Sequence, residues 1–235
     1  MYVLLDKIKR DATIIEGFPG FGLVASIATE FLVDHLNFKL VGKILNDKLP
    51  PLVSIRSGKK FIPVPIMYDN SSNIVVIYGL NPVNGLEWSL AKDILDLAKD
   101  TNAKRIISLE GIYNPQQNEP KVLYYSNDPK VRSILEGKYE ELKNGIILGI
   151  TSALMTLNEN HNFTCLFGES HINLPDSTAS AKIVECIDAI LNLKLNTKPL
   201  YEKAREFEAQ LKELVKQAQE VSQEKDLRRN LDYLG

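Results

Sequence analysis

The chain has 235 residues, 44% of them hydrophobic and 25% charged, with a formal net charge of −2. That apolar content excludes wholesale disorder and suffices for a sizeable core. Balanced totals of 28 basic and 30 acidic residues exclude the global basic field that phosphate-dominated nucleic-acid binding needs.

In chain order, residues 12–17 predict a short apolar strand ending in Gly17, and residues 22–36 a helix with a broad apolar face. Residues 39–45 and 52–57 predict strands around Pro50-Pro51. Residues 60–68 and 73–80 predict a hairpin over the polar cluster Asp69-Asn70-Ser71-Ser72. A helix is expected over 85–101, followed by a buried strand over 104–111 that ends in Glu110-Gly111. Further strands are predicted at 121–126, 146–149 and 162–168. Helices are predicted at 129–137, 151–160 and from Asp176 or Ser177 to about 193. Apolar strands alternating with helices indicate an α/β fold with a mixed, mainly parallel sheet covered on both faces.

Residues 198–229 predict a long helix. Leu200, Ala204, Phe207, Leu211, Leu214, Ala218 and Val221 follow a 4-3 spacing, the heptad seam of a coiled-coil-like helix. Such a stripe must be covered, by its own domain or by another chain. The tail 231–235 carries Leu231, Tyr233 and Leu234. The expected organisation is thus an α/β domain over 1–195 and a helix with a tail over 196–235. No signal peptide and no membrane span are expected, because no basic-then-apolar start and no run of about 18 apolar residues occurs. Cys165 and Cys186 match no CxxC spacing and read as reduced, buried thiols of a cytoplasmic protein.

Two features bear on chemistry. Gly17-Phe18-Pro19-Gly20-Phe21-Gly22 links a strand to a helix, and Gly20 to Ala25 formally fits G-x-G-x-x-A. The bulky Phe18, Pro19 and Phe21 oppose a phosphate cradle, so a tight turn is the plainer role. Glu16, Glu110 and Glu169 each lie beside a glycine near a predicted strand end, with His171 two residues past Glu169. Strand ends of this kind face the ligand crevice of an open α/β sheet. Such carboxylates can share a proton, hold a metal, or bind loop N–H groups. Ser26, Ser108, Ser152 and Ser170 are available hydroxyls, yet there is no G-x-S-x-G elbow, Walker A loop or HExxH spacing. No catalytic residue, metal or cofactor is therefore assigned.

The segment Gly17 to Ala28, reading GFPGFGLVASIA, resembles the opening signature of the proteasome assembly chaperone 2 family in its archaeal branch. Gly149-Ile150-Thr151-Ser152-Ala153-Leu154 looks like the same family. So does Gly168-Glu169-Ser170-His171 followed by Leu174-Pro175-Asp176-Ser177. The resemblance spans about residues 1–195. It implies a nucleoside-phosphorylase-like α/β/α sandwich in a homo-oligomer, with an ATP-independent, non-enzymatic role holding proteasome core-particle subunits during assembly. It also implies docking through a C-terminal hydrophobic-Tyr tail, although Tyr233 is third from the end here and follows Asp232. Nucleic acid and membranes are not expected partners. The alternative is a small-molecule enzyme, phosphorylase-like, hydrolase-like or an ATP-dependent ligase, acting at a crevice near Gly17–Gly22, Glu110 and Glu169.

Overall fold

The computed structural model describes residues 1–49, 51–56, 58–114, 119–170 and 174–205, in two units, 1–197 and 198–235. The first unit begins with β1 (Tyr2–Leu4), β2 (Thr13–Gly17) and a 3-10 turn, Phe21–Leu23, that leads into α1 (Val24–His35). Next come β3 (Lys39–Ile44), β4 (Ser54–Arg56), β5 (Lys59–Phe61), β6 (Pro65–Asp69), β7 (Ile74–Tyr78) and α2 (Glu87–Asp100). The remainder is β8 (Arg105–Tyr113), β9 (Val122–Ser126), α3 (Pro129–Leu135), β10 (Glu140–Glu141), α4 (Gly149–Leu157), β11 (Asn162–Ser170) and α5 (Ser177–Leu191).

Nine strands form one sheet in the order β1-β3-β6-β7-β2-β8-β11-β9-β10. The centre, β7-β2-β8-β11, is parallel, and the flanks bring in antiparallel pairs. β2, β7 and most of β8 are buried along their length, as parallel strands covered on both faces must be. Strand parity sorts their side chains. Ile14, Ile106, Cys165 and Phe167 face the layer of α2 and α4. Gly168, on the opposite face of β11, packs against Val24 of α1 and Ile183 of α5. The result is the three-layer α/β/α sandwich expected from the sequence.

Two expectations need correction. The apolar run Ile146-Ile147-Leu148-Gly149 is not a strand. Ile146 is 93% and Leu148 76% exposed, and Gly149, at φ +75°, opens α4 instead. The predicted strand 60–68 is also split. β5 pairs with β4 in a separate ribbon, and only β6 joins β7. Pro63 and Pro65 lie at the break, where neither can donate to a ladder. The β6–β7 turn forms as predicted, since Asp69 accepts hydrogen bonds from the backbone and hydroxyl groups of Ser71 and Ser72. In the second unit, residues 198–205 are helical. The seam residues Phe207, Leu211, Leu214, Ala218 and Val221 lie outside the described residues, as do Leu231, Tyr233, Leu234 and His171.

One buried ion pair ties the start of β8 to the start of α3. Arg105 Nη2 lies 3.1 Å from Asp128 Oδ2, and both side chains are buried. Asp128 also caps α3 by accepting the Lys130 N–H at 2.9 Å. Removing one partner of a buried pair strands the other charge, an effect of about 3–5 kcal/mol. Asp128→Ala is therefore expected to lower the melting temperature by on the order of 10 °C. A calorimetric shift of only a degree or two would show that the pair carries no such weight.

Candidate functional site

The loop 17–22 leaves the C-terminal end of β2 and crosses over β8. It does so at main-chain distance. A Cβ on Gly111 of β8 would overlap the Phe21 carbonyl oxygen, so only glycine admits the crossing there. Phe18 is buried in the core beneath α2, and the Phe21 ring leans on Tyr113 with centroids 5.0 Å apart. Gly22, at φ +61°, then turns the chain into α1. Its carbonyl oxygen accepts the Asp176 N–H at 2.8 Å. Asp176 in turn caps α5 through the Ala179 N–H at 2.9 Å and accepts the Ser170 hydroxyl at 2.6 Å. One residue thus clamps the loop, through its main-chain N–H, and the end of β11 and the start of α5, through its carboxylate.

Under this loop lies a run of four polar side chains. Glu16 of β2, Ser108 and Glu110 of β8 share a sheet face by parity and register. Ser108 Oγ makes a short hydrogen bond with Glu16 Oε1. It also lies 2.8 Å from Thr151 Oγ1 of α4, which is 3.1 Å from Glu110 Oε2. These are three hydrogen bonds served by two hydroxyl protons. The third proton must come from a carboxyl group, so the two acids together retain one. Both acids are pushed toward the protonated form, and Glu16 is the more deeply buried. Full burial pushes its pKa up to about 8, against the lowering effect of the Ser108 bond and with a smaller push from Glu110. Glu110 is raised to about 7, again chiefly by burial, opposed by the Thr151 hydroxyl and the Gly111 N–H. Thr151 donates to Glu110, and Ser108 bridges Thr151 and Glu16. Neutrality also lowers the cost of the second Glu16 oxygen, which is buried without a hydrogen-bond partner.

The three described crevice residues, Glu16, Glu110 and Glu169, therefore do not form one cluster. Glu16 and Glu110 are brought together through Ser108 and Thr151. Glu169 pairs in register with Ile112, two positions beyond Phe167, the partner of Glu110. There it accepts the Asn114 side-chain N–H at 2.9 Å and lines a different, more polar cavity with Lys121 and Arg132. His171 lies outside the described residues. Among the described residues no group of three His, Cys, Asp or Glu side chains is placed to hold a metal, and no helix is long and apolar enough to cross a membrane. Sequence reasoning named Ser108 only as an available hydroxyl and did not assign Thr151 a role. The signal for Ser108 is a hydroxyl in an otherwise apolar strand, between Ile107 and Leu109.

The PAC2 family model matches residues 14–215. The chain belongs to the PAC2 family. It is 30% identical over 210 residues to an uncharacterized protein of Methanocaldococcus jannaschii, covering 87% of this chain and 85% of that one. Its fold matches the crystal structure of Pyrococcus furiosus PbaA, described as an archaeal homolog of proteasome-assembly chaperone, with TM-score 0.83 and 27% identity over 99% of both chains. It also matches P. furiosus PbaB, described as an archaeal proteasome activator, with TM-score 0.76 and 24% identity over 91% of this chain and 98% of that one. At that identity the PbaB likeness speaks to the fold.

The three segments that resemble the PAC2 family meet in space. The first supplies the loop, the second Thr151, and the third the Ser170–Asp176 clamp. The raised Glu16 titration has a thermodynamic signature. In the unfolded chain this carboxyl ionises near its ordinary 4.5, and in the folded PAC2 domain near 8. Between those values the native state binds the extra proton, so stability falls as pH rises through this window. Glu16→Gln keeps a donor for Ser108 and removes the titration. Its melting temperature is expected to depend less on pH from 5 to 8 and to exceed that of the parent at pH 8. Each kcal/mol corresponds to ~2–4 °C. Parallel curves for the two proteins would place the proton elsewhere.

Proposed function

We propose that this PAC2 protein is a cytoplasmic, ATP-independent chaperone that forms homo-oligomers and holds proteasome core-particle subunits through its C-terminal region. The observation that carries the reading is the likeness to PbaA over 99% of both chains. The heptad spacing from Leu200 to Val221 offers an association stripe. Leu231, Tyr233 and Leu234 offer the few apolar and aromatic anchors that dominate many interfaces. Several tails on one oligomer raise the effective concentration at a ring-shaped partner, even where each contact is weak.

The site chemistry supports binding without turnover. Ser108 is fully buried and hydrogen-bonded on both sides, which is not the presentation of a nucleophile. The role needs no cofactor, metal or nucleic acid. Deleting residues 231–235 is expected to abolish capture of core-particle subunits while leaving the oligomer size unchanged in light scattering. Full capture by the truncated protein would discard the tail as the anchor. Absence of capture by the intact chain would discard the chaperone reading.

A further inference from the structure

We propose that the cavity beside the glycine loop binds a small apolar amine whose ammonium group pairs with Glu110. The proposal does not rest on the chaperone reading. The cavity of about 560 Å³ is bounded by Phe18–Gly20, the start of α2, the end of β8, Leu142 and residues 144–150. Its size falls within the range of ordinary small-molecule sites, roughly 300–1,000 Å³. It also lies where open α/β sheets hold their ligands, outside the carboxyl ends of central strands.

The lining defines the ligand. Phe18, Val83, Ile112, Ile147 and Phe167 give it apolar walls, and the exposed Ile146 and Leu148 stand in the lining segment that leads into α4. The charged side chains among the described lining residues are Glu87 and Glu110. No Lys, Arg or His is among them. An acidic group set into apolar walls without a cation favours a positively charged ligand, because an uncompensated buried charge is costly. Glu110 retains acceptor capacity for such a partner. A carboxylate offers about four acceptor positions, and the Thr151 hydroxyl and the Gly111 N–H account for two. Glu110 Oε1 lies against Gly20, and a Cβ at Gly20 would come within 2.6 Å of it. The missing side chain leaves that oxygen its space.

The same chemistry is presented by a free alkylamine and by a lysine side chain of another protein. We assign the free amine, since the apolar walls favour an alkyl body over the polar peptide that accompanies a lysyl side chain. Calorimetric titration of the full-length protein with hexylammonium, hexanol, hexanoate and Nα-acetyl-lysine methylamide separates the cases. Hexylammonium is expected to bind saturably, and the other three at least tenfold more weakly. Glu110→Gln is expected to weaken hexylammonium binding at least tenfold. Leu148→Lys, at an exposed position, is expected to do the same by placing a competing ammonium at the cavity. No saturable hexylammonium binding, or equal binding of hexanol or hexanoate, would overturn the proposal. So would binding unchanged in both variants. A lysine derivative that binds as well as hexylammonium would move the assignment from a free amine to a protein partner. Capture of core-particle subunits is expected to be unaffected by Glu110→Gln, so this proposal and the chaperone reading stand or fall separately.

Discussion

Backbone meets backbone where the loop 17–22 crosses β8, with Gly111 lying against the Phe21 carbonyl. Everything near the site takes its position from that crossing. It sets Gly20 over Glu110 and aims Gly22 at the Asp176 clamp. A side chain at Gly111 would lift the loop and strain the Asp176–Gly22 hydrogen bond that joins it to the start of α5. Close packing leaves no slack to absorb such a displacement. The glycines of this motif therefore serve proximity of the chain to its own sheet, where the formally similar dinucleotide pattern serves proximity to a pyrophosphate.

The relay under the loop shows how a buried acid pair is made tolerable. Burial disfavours the charge on both carboxyl groups, and their proximity adds to this, so the pair retains a proton. Ser108 and Thr151 then carry the hydrogen-bonding pattern between the acids without a water molecule. The same four residues tie β2, β8 and α4 together. The arrangement is a structural polar core at one end and an acidic cavity wall at the other, and Glu110 belongs to both.

Much of this was legible in the sequence. The central strands, the helices α1, α2 and α5, and the two-layered cover follow from apolar period and from the cap at Asp176. Parity alone places Glu16 with Ile14 on the α2–α4 face. Other parts were not legible, for physical reasons. Ile146-Ile147-Leu148 has the composition of a buried strand, yet it lines a cavity, and period does not distinguish a cavity wall from a core. The edge strands β1 and β10 have three and two residues and are held by main-chain pairing, which leaves little trace in side-chain pattern. Glu169 looked equivalent to Glu110 because both precede or follow a glycine. Register, which depends on the whole sheet, separates them. Thr151 is distant in sequence from its partners, and its role emerges only when α4 is laid on β8.

The strand order also governs how the molecule comes together. The β6–β7 hairpin is local, but Thr13 of β2 pairs with Arg105 of β8, and β8 pairs with β11 over nine positions across a long crossover. The centre of the sheet therefore closes last in sequence terms, after loop-closure entropy has been overcome twice. During synthesis the β2 segment must wait, with its apolar strand unpaired on one side, until β8 has emerged. A protein whose proposed task is to shelter unassembled subunits thus passes through an interval in which its own central strand is exposed.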